Sequence, residues 1–350
     1  MVRRKLEYDF AREEVDEDTS FWTNVWKSIC SLMLTCILIG PFLYTSYNRY
    51  HERLQAPSMK ISSALNFFEN ADLLTCAIEL NISYSQIYKD ASLSQDATFC
   101  RGTSEGKCPC ENPTIASPRK MGNIDREALW MKTFKRNLDL ASSASDQIDV
   151  VFMGDSITEQ WYGTCFADPI ANSDKMIELW DNLFQDRALA LGIAGDRCPN
   201  LLYRMQNGEM PEELNPSLWW FLIGTNDYNS DTCSRESILV GQLAILFEAM
   251  QRKPDANFVL QGLLPRGKHN LLESSLWKDF QWINDRLACI SELPKLDFFN
   301  ATSIFLDSDQ RMVNQTLMSD FLHPSIEGHK LWGQAILGKI EEMGILNTNK

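Results

Sequence analysis

Five short apolar runs constrain this chain most: Ile148–Met153, Ala188–Ile193, Leu218–Ile223, Asn257–Gln261 and Leu296–Phe299. Each is followed by a stretch of helical periodicity, over 174–185, 198–207, 234–251, 274–292 and 326–342, and a further helix is predicted at 125–141. Strands this short and this continuously apolar have both faces buried, which requires a mostly parallel sheet with helices on either side. The pattern predicts one α/β domain over 125–343, followed by a short tail at 344–350. In such sheets ligands bind at the carboxyl ends of the strands.

Three of those ends carry residues with chemistry to offer. The first runs into Gly154-Asp155-Ser156-Ile157-Thr158-Glu159, placing a serine hydroxyl where strand gives way to helix, beside N–H groups that favour an anion. The spacing is not that of the Gly-x-Ser-x-Gly elbow, and a serine in a turn ordinarily acts as a cap. The second ends in Gly192-Ile193-Ala194-Gly195-Asp196, where Gly195 lets a backbone N–H approach a ligand unobstructed. The third ends in Gly224-Thr225-Asn226-Asp227, and the Asn226 amide is a donor suited to a developing oxyanion. An Asx-turn or N-cap is the plainer role for that asparagine.

Ahead of the last helix stands Asp320-Phe321-Leu322-His323-Pro324-Ser325. A carboxylate three residues before an imidazole can fix its tautomer, leaving the other ring nitrogen to take a proton from a serine. The remaining histidines, His51, His269 and His329, have no aspartate shortly before them and read as surface or capping residues.

Singly these signals are weak; their order along successive strand ends resembles the GDSL-type, or SGNH, hydrolase family. The four name residues of that family match Ser156, Gly195, Asn226 and His323, and the likeness covers about residues 146–343. Leu191–Asp196, Leu202–Glu209, Gly262–Gly267 and Asp320–His323 are similar in particular to the brain-type platelet-activating-factor acetylhydrolase subunits within it. The resemblance implies a flavodoxin-like three-layer α/β/α sandwich with a mostly parallel five-stranded sheet. It also implies a serine esterase needing no metal or cofactor, with Ser156, Asp320 and His323 catalytic and Ser156, Gly195 and Asn226 forming an oxyanion hole. The expected substrate is an acyl ester, acetyl in the first instance, of a glycan or lipid. Two other outcomes share the fold: transfer of the acyl group to a sugar hydroxyl by an O-acyltransferase, and a non-catalytic binding module, which would be expected to lack one of these residues.

The chain departs from those subunits upstream. Residues 29–47 are uncharged, bounded by Lys27 and Arg49, and as a helix would span roughly 28 Å, about one hydrocarbon core. The 26-residue-scale polar leader and the lack of a small-x-small site favour a retained anchor over a cleaved signal peptide. The excess of Lys/Arg before the span, with Arg3, Arg4, Lys5, Arg12 and Lys27, puts residues 1–28 in the cytosol and the rest in the secretory lumen or outside. Sequons at Asn81, Asn300 and Asn314 agree with that orientation.

Residues 48–124 read as a luminal stem. Eight cysteines follow the span (Cys76, Cys100, Cys108, Cys110, Cys165, Cys198, Cys233 and Cys289), a number compatible with four disulfides. Cys100, Cys108 and Cys110 have no histidine nearby and fit no common zinc spacing. Trp219 and Trp220 adjoin on one strand, so core packing is expected of them, in preference to a sugar-stacking platform with Tyr162. The formal charge of −14 argues against a nucleic-acid partner.

Overall fold

The computed structural model describes residues 110–345, except 145, 229–232 and 292. The stretch expected to span a membrane, the cytosolic tail, Asn81 and Cys76, Cys100 and Cys108 lie outside the described residues. Among those described, no helix is long and apolar enough to cross a membrane.

Five strands form the sheet: β1 (Val150–Gly154), β4 (Ala188–Gly192), β5 (Leu218–Leu222), β6 (Asn257–Gln261) and β7 (Leu296–Phe299). All pairings are parallel, in the spatial order β4-β1-β5-β6-β7. Counted along the chain this is 2-1-3-4-5, the flavodoxin-like order, with its switch point at β1. Every residue of β1, β4 and β5 is buried, as two covered faces demand. On one face helices α3 (Ser173–Phe184) and α8 (Ile326–Glu342) pack together; on the other, α4 (Cys198–Arg204) packs on α6 (Arg235–Arg252), and α6 on α7 (Ser275–Ile290). The entering helix α1 (Ile124–Ser143) lies against β4.

The predicted elements are all present, with differences at their ends. The first strand starts at Val150, and Asp149 just before it pairs with Arg187, 2.6 Å away. The helix expected over 198–207 stops at Arg204 and widens into a π turn over Met205–Glu209, where Gly208 takes φ 115°. The two-residue strands β2 (Thr164–Cys165) and β3 (Asp168–Pro169) form a small antiparallel hairpin that the sequence did not announce.

Trp219 and Trp220 are core residues, as expected: both are buried, and the Trp220 Nε1–H donates to Gln261 at 2.8 Å. The Tyr162 hydroxyl accepts from the Ala190 amide at 3.1 Å, and burial raises its pKa to about 12, so it is packing rather than platform. His329 corrects the surface-or-cap reading. It is buried edge-on against Trp161, 4.7 Å between ring centroids, and burial lowers its pKa to about 4.

The expectation of four disulfides is also corrected. Cys110 and Cys233 are bonded across 123 residues, and Cys289 is disulfide-bonded, but Cys165 and Cys198 are thiols. Cys165 is exposed on the hairpin, whereas Cys198 is sealed in the core. A Cβ on Gly241 of α6 would lie 2.5 Å from that of Cys198, so the helices meet too closely there for a further side chain. With Cys110 in a disulfide, the metal alternative for it is gone.

Candidate active site

β1, β4 and β5 stop in register, Gly154 beside Gly192 and Leu222. Two glycines let the backbone close up just past that line. A Cβ on Gly154 would fall 2.3 Å from the Leu222 carbonyl oxygen, and one on Gly192 would fall 2.2 Å from the Glu159 nitrogen. Helix α2 (Ser156–Glu159) is thereby pressed against the end of β4.

Ser156 opens α2 and remains 8% exposed. Its Oγ lies 2.9 Å from His323 Nε2. His323 Nδ1 lies 2.7 Å from Asp320 Oδ2, and the other oxygen of that carboxylate accepts from the backbone N–H groups of His323 at 2.7 Å and Leu322 at 3.0 Å. The turn holding this pair passes through Phe321 at φ 62°, left-handed for a non-glycine residue. Partial burial works against the Asp320 charge, but the bonds from the His323 ring and the two amides outweigh it and hold the carboxyl below its usual range. The structure thus joins Ser156, His323 and Asp320, residues up to 167 positions apart, in one line.

The three expected oxyanion donors meet at the same edge. Gly195 sits in the turn after β4 at φ 77°, a conformation glycine adopts without penalty. Asn226 is the second residue of α5 (Thr225–Tyr228) and is 8% exposed beside the serine edge. Its Nδ2 donates to the Asp196 carbonyl oxygen at 3.0 Å and to Asp155 Oδ2 at 3.3 Å, instead of pointing straight at Ser156. Asp155 caps α2 by accepting from the Ile157 amide at 2.9 Å, and burial pushes its carboxyl up to about 7 against that bond.

Several residues to which no role was given in the sequence hold this edge together. Glu159 is buried, accepts from the Ala194 amide at 2.8 Å through one oxygen and from the Ala167 amide at 2.8 Å through the other, and so ties α2 to the Gly195 turn. Arg204 is fully buried: it bonds Asp196 Oδ2 at 2.7 Å, Glu209, and the carbonyls of Gly154 at 2.7 Å and Leu191 at 3.1 Å. Trp130 Nε1 completes Asp196 at 2.6 Å. A buried guanidinium between two carboxylates pins the ends of two strands, and removing it would strand two buried anions at a cost of about 3–5 kcal/mol. Arg266 donates to the Thr225 carbonyl and hydroxyl, both at 3.0 Å, while the next amide, Gly267, reaches the Phe321 carbonyl at 2.9 Å. The 262–267 stretch therefore fixes the Asn226 and His323 sides against each other.

Residues 110–123, within the stretch expected as stem, lie on the domain. The Ser117 amide bonds the Pro199 carbonyl at 3.1 Å, Asn200 Nδ2 returns to the Ser117 carbonyl at 3.1 Å, and Cys110 is bonded to Cys233. Arg119 reaches the Gly195 turn from this segment. No local sequence signal could have placed it there, since it precedes that turn by 76 positions. Among the described residues, no group of three or more His, Cys, Asp and Glu side chains is arranged to hold a metal.

Comparison with known proteins bears on the same span. Residues 152–331 match the GDSL-like Lipase/Acylhydrolase family. The chain is 29% identical over 221 residues to the platelet-activating factor acetylhydrolase IB subunit alpha1 of Homo sapiens, covering 63% of this chain and 85% of the relative. It is 29% identical over 215 residues to the alpha2 subunit of Gallus gallus, covering 61% and 83%. Among solved structures, a GDSL-like lipase from Bacteroides thetaiotaomicron matches with a TM-score of 0.48 at 21% identity, covering 64% of this chain and all of that one. The family match over residues 152–331 spans the strand ends, the serine and the histidine described above, and on that ground the chain belongs to the GDSL-like lipase/acylhydrolase family and is an ester hydrolase of the SGNH type.

Proposed function

We propose that this chain is a serine esterase that removes a short acyl group, acetyl in the first instance, from an ester of a glycan or lipid through an acyl-serine intermediate. The observation that carries the reading is the line Asp320, His323, Ser156, with heavy-atom spacings of 2.7 and 2.9 Å, within the reach a general base needs. The acetyl part draws on the acetylhydrolase relatives.

As Ser156 Oγ bonds to the ester carbonyl carbon, its proton passes to His323 Nε2, and Asp320 stabilises the imidazolium. The carbonyl oxygen, now an oxyanion, is held by the N–H groups of Ser156 and Gly195 and by Asn226. The Asn226 N–H directed at Asp155 makes the longer of its two bonds, 3.3 Å, and is the one to redirect. Loss of one such donor costs about 3–4 kcal/mol in barrier. Collapse of the intermediate breaks the bond to the alcohol, which leaves with the proton from His323. Water, deprotonated by the same imidazole, then cleaves the acyl-serine to free acid. Ser156→Ala is expected to abolish both turnover and the acyl-enzyme burst on a nitrophenyl acetate; full turnover in that variant would sink the reading.

The proposal includes placement: a single-pass chain with residues 29–47 in the membrane and the catalytic domain in the secretory lumen or outside. The uncharged span and the Cys110–Cys233 disulfide support it. In sealed microsomes the domain is expected to resist added protease until detergent is supplied. Digestion without detergent would reverse the orientation.

A further inference from the structure

Two arginines flank the Gly195 turn without a carboxylate partner. Arg119, half-buried, places Nη2 3.6 Å from where a Cβ on Gly195 would be. Its Nη1 has only a long contact, 3.5 Å, to Asn200 Oδ1, and its buried Nε has no partner. Arg197, also half-buried, uses its backbone N–H on that same Asn200 oxygen at 3.0 Å, and its Nε is likewise buried and unpartnered. Among the described residues, neither guanidinium forms an ion pair.

The nearby carboxylates are taken. Asp196 is occupied by Arg204 and Trp130, Asp227 receives the Cys198 amide on both oxygens at 3.2 Å, and Glu111 accepts from Ser117 at 2.9 Å. The two like charges repel: after burial, Arg197 is the largest influence making the Arg119 cation less favourable. Surface arginines avoid such a conflict by turning into solvent. These two are held in it, because Asn200 and Ser117 fasten the 117–119 stretch onto the start of α4.

We propose that Arg119 and Arg197 form a recognition site for an anionic group on the alcohol portion of the ester. The arrangement fits a carboxylate or a phosphate, which planar guanidinium donors bind in paired fashion. An anion between them relieves their repulsion and satisfies N–H groups otherwise left unbonded. Since Arg119 lies over Gly195, whose N–H serves the oxyanion in the mechanism above, the bound anion belongs to the leaving group adjoining the scissile bond. This assignment rests on the esterase reading and narrows its substrate to acyl esters of acidic alcohols.

The test uses the full-length chain in neutral detergent and two pairs of acetates: an O-acetylated sugar acid with its methyl ester, and acetylglycerol phosphate with acetylglycerol. We expect kcat/KM to favour the charged member at least tenfold in one pair, through KM, and that pair identifies the anion. Arg119→Gln and Arg197→Gln should each lower the charged-to-neutral ratio several-fold, and the double variant should bring it near one. A wild-type ratio below twofold in both pairs, or a preference that survives the double variant, overturns the proposal. In that event a neutral acetate still cleaved only when Ser156 is present leaves the esterase reading standing. Cleavage independent of Ser156 removes the reading itself.

Discussion

Asp227 receives the Cys198 amide on both carboxylate oxygens, yet burial lifts its pKa to about 7, against the pull of that amide and of Arg197 and Arg119. A carboxyl that holds its proton more tightly folded than unfolded stabilises fully below about pH 4, its unfolded pKa, and loses that contribution as pH rises to about 7. Asp227→Asn keeps an acceptor for Cys198 and removes the charge. Its unfolding free energy should fall less between pH 5 and pH 8 than that of the parent, by on the order of 1–4 kcal/mol. Urea unfolding at the two pH values checks it, and equal slopes would refute it. His329 contributes with the opposite sign: its lowered pKa, about 4, makes stability rise as pH climbs from there toward 6.5. Only the difference between variant and parent therefore isolates Asp227.

At the scale of elements, the segment 110–123 is a strap rather than a spacer. One end is bonded covalently to Cys233, just before α6, and the middle is stitched to α4 through Ser117 and Asn200. A crosslink closing so long a loop restricts the unfolded chain strongly. The double variant Cys110→Ser, Cys233→Ser is expected to lose about 2–5 kcal/mol of stability, read as a lower urea midpoint with the slope retained. An unchanged midpoint would mean that the stitching alone secures the strap. The buried thiol of Cys198 should leave that comparison untouched, since it is sealed from solvent and from exchange.

Over the whole molecule, legibility tracked how local the determining physics was. The strand runs and the Gly-Asp-Ser, Gly-Asp and Asn-Asp turns could be read because burial on both faces and the strand-to-helix breaks leave their mark within a few residues. Asp320 and His323 were legible as a pair for the same reason. Arg204, Glu159 and Arg266 could not be read, since each acts through backbone groups brought in by other strands. Arg119 was hidden further, in a stretch whose cysteines and turn formers suggested a stem. His329 misled because a buried neutral imidazole and an exposed one look alike in sequence. The Asp320–His323 turn also has a consequence for how such enzymes change. Its aspartate, imidazole and two orienting amides are supplied by four consecutive residues, and outside bonds from the Gly267 amide to the Phe321 carbonyl and from the Phe321 amide to the Met318 carbonyl hold the turn in place. Substitutions elsewhere in the sheet can therefore shift the distance between the imidazole and the serine while the aspartate still travels with the imidazole as one unit.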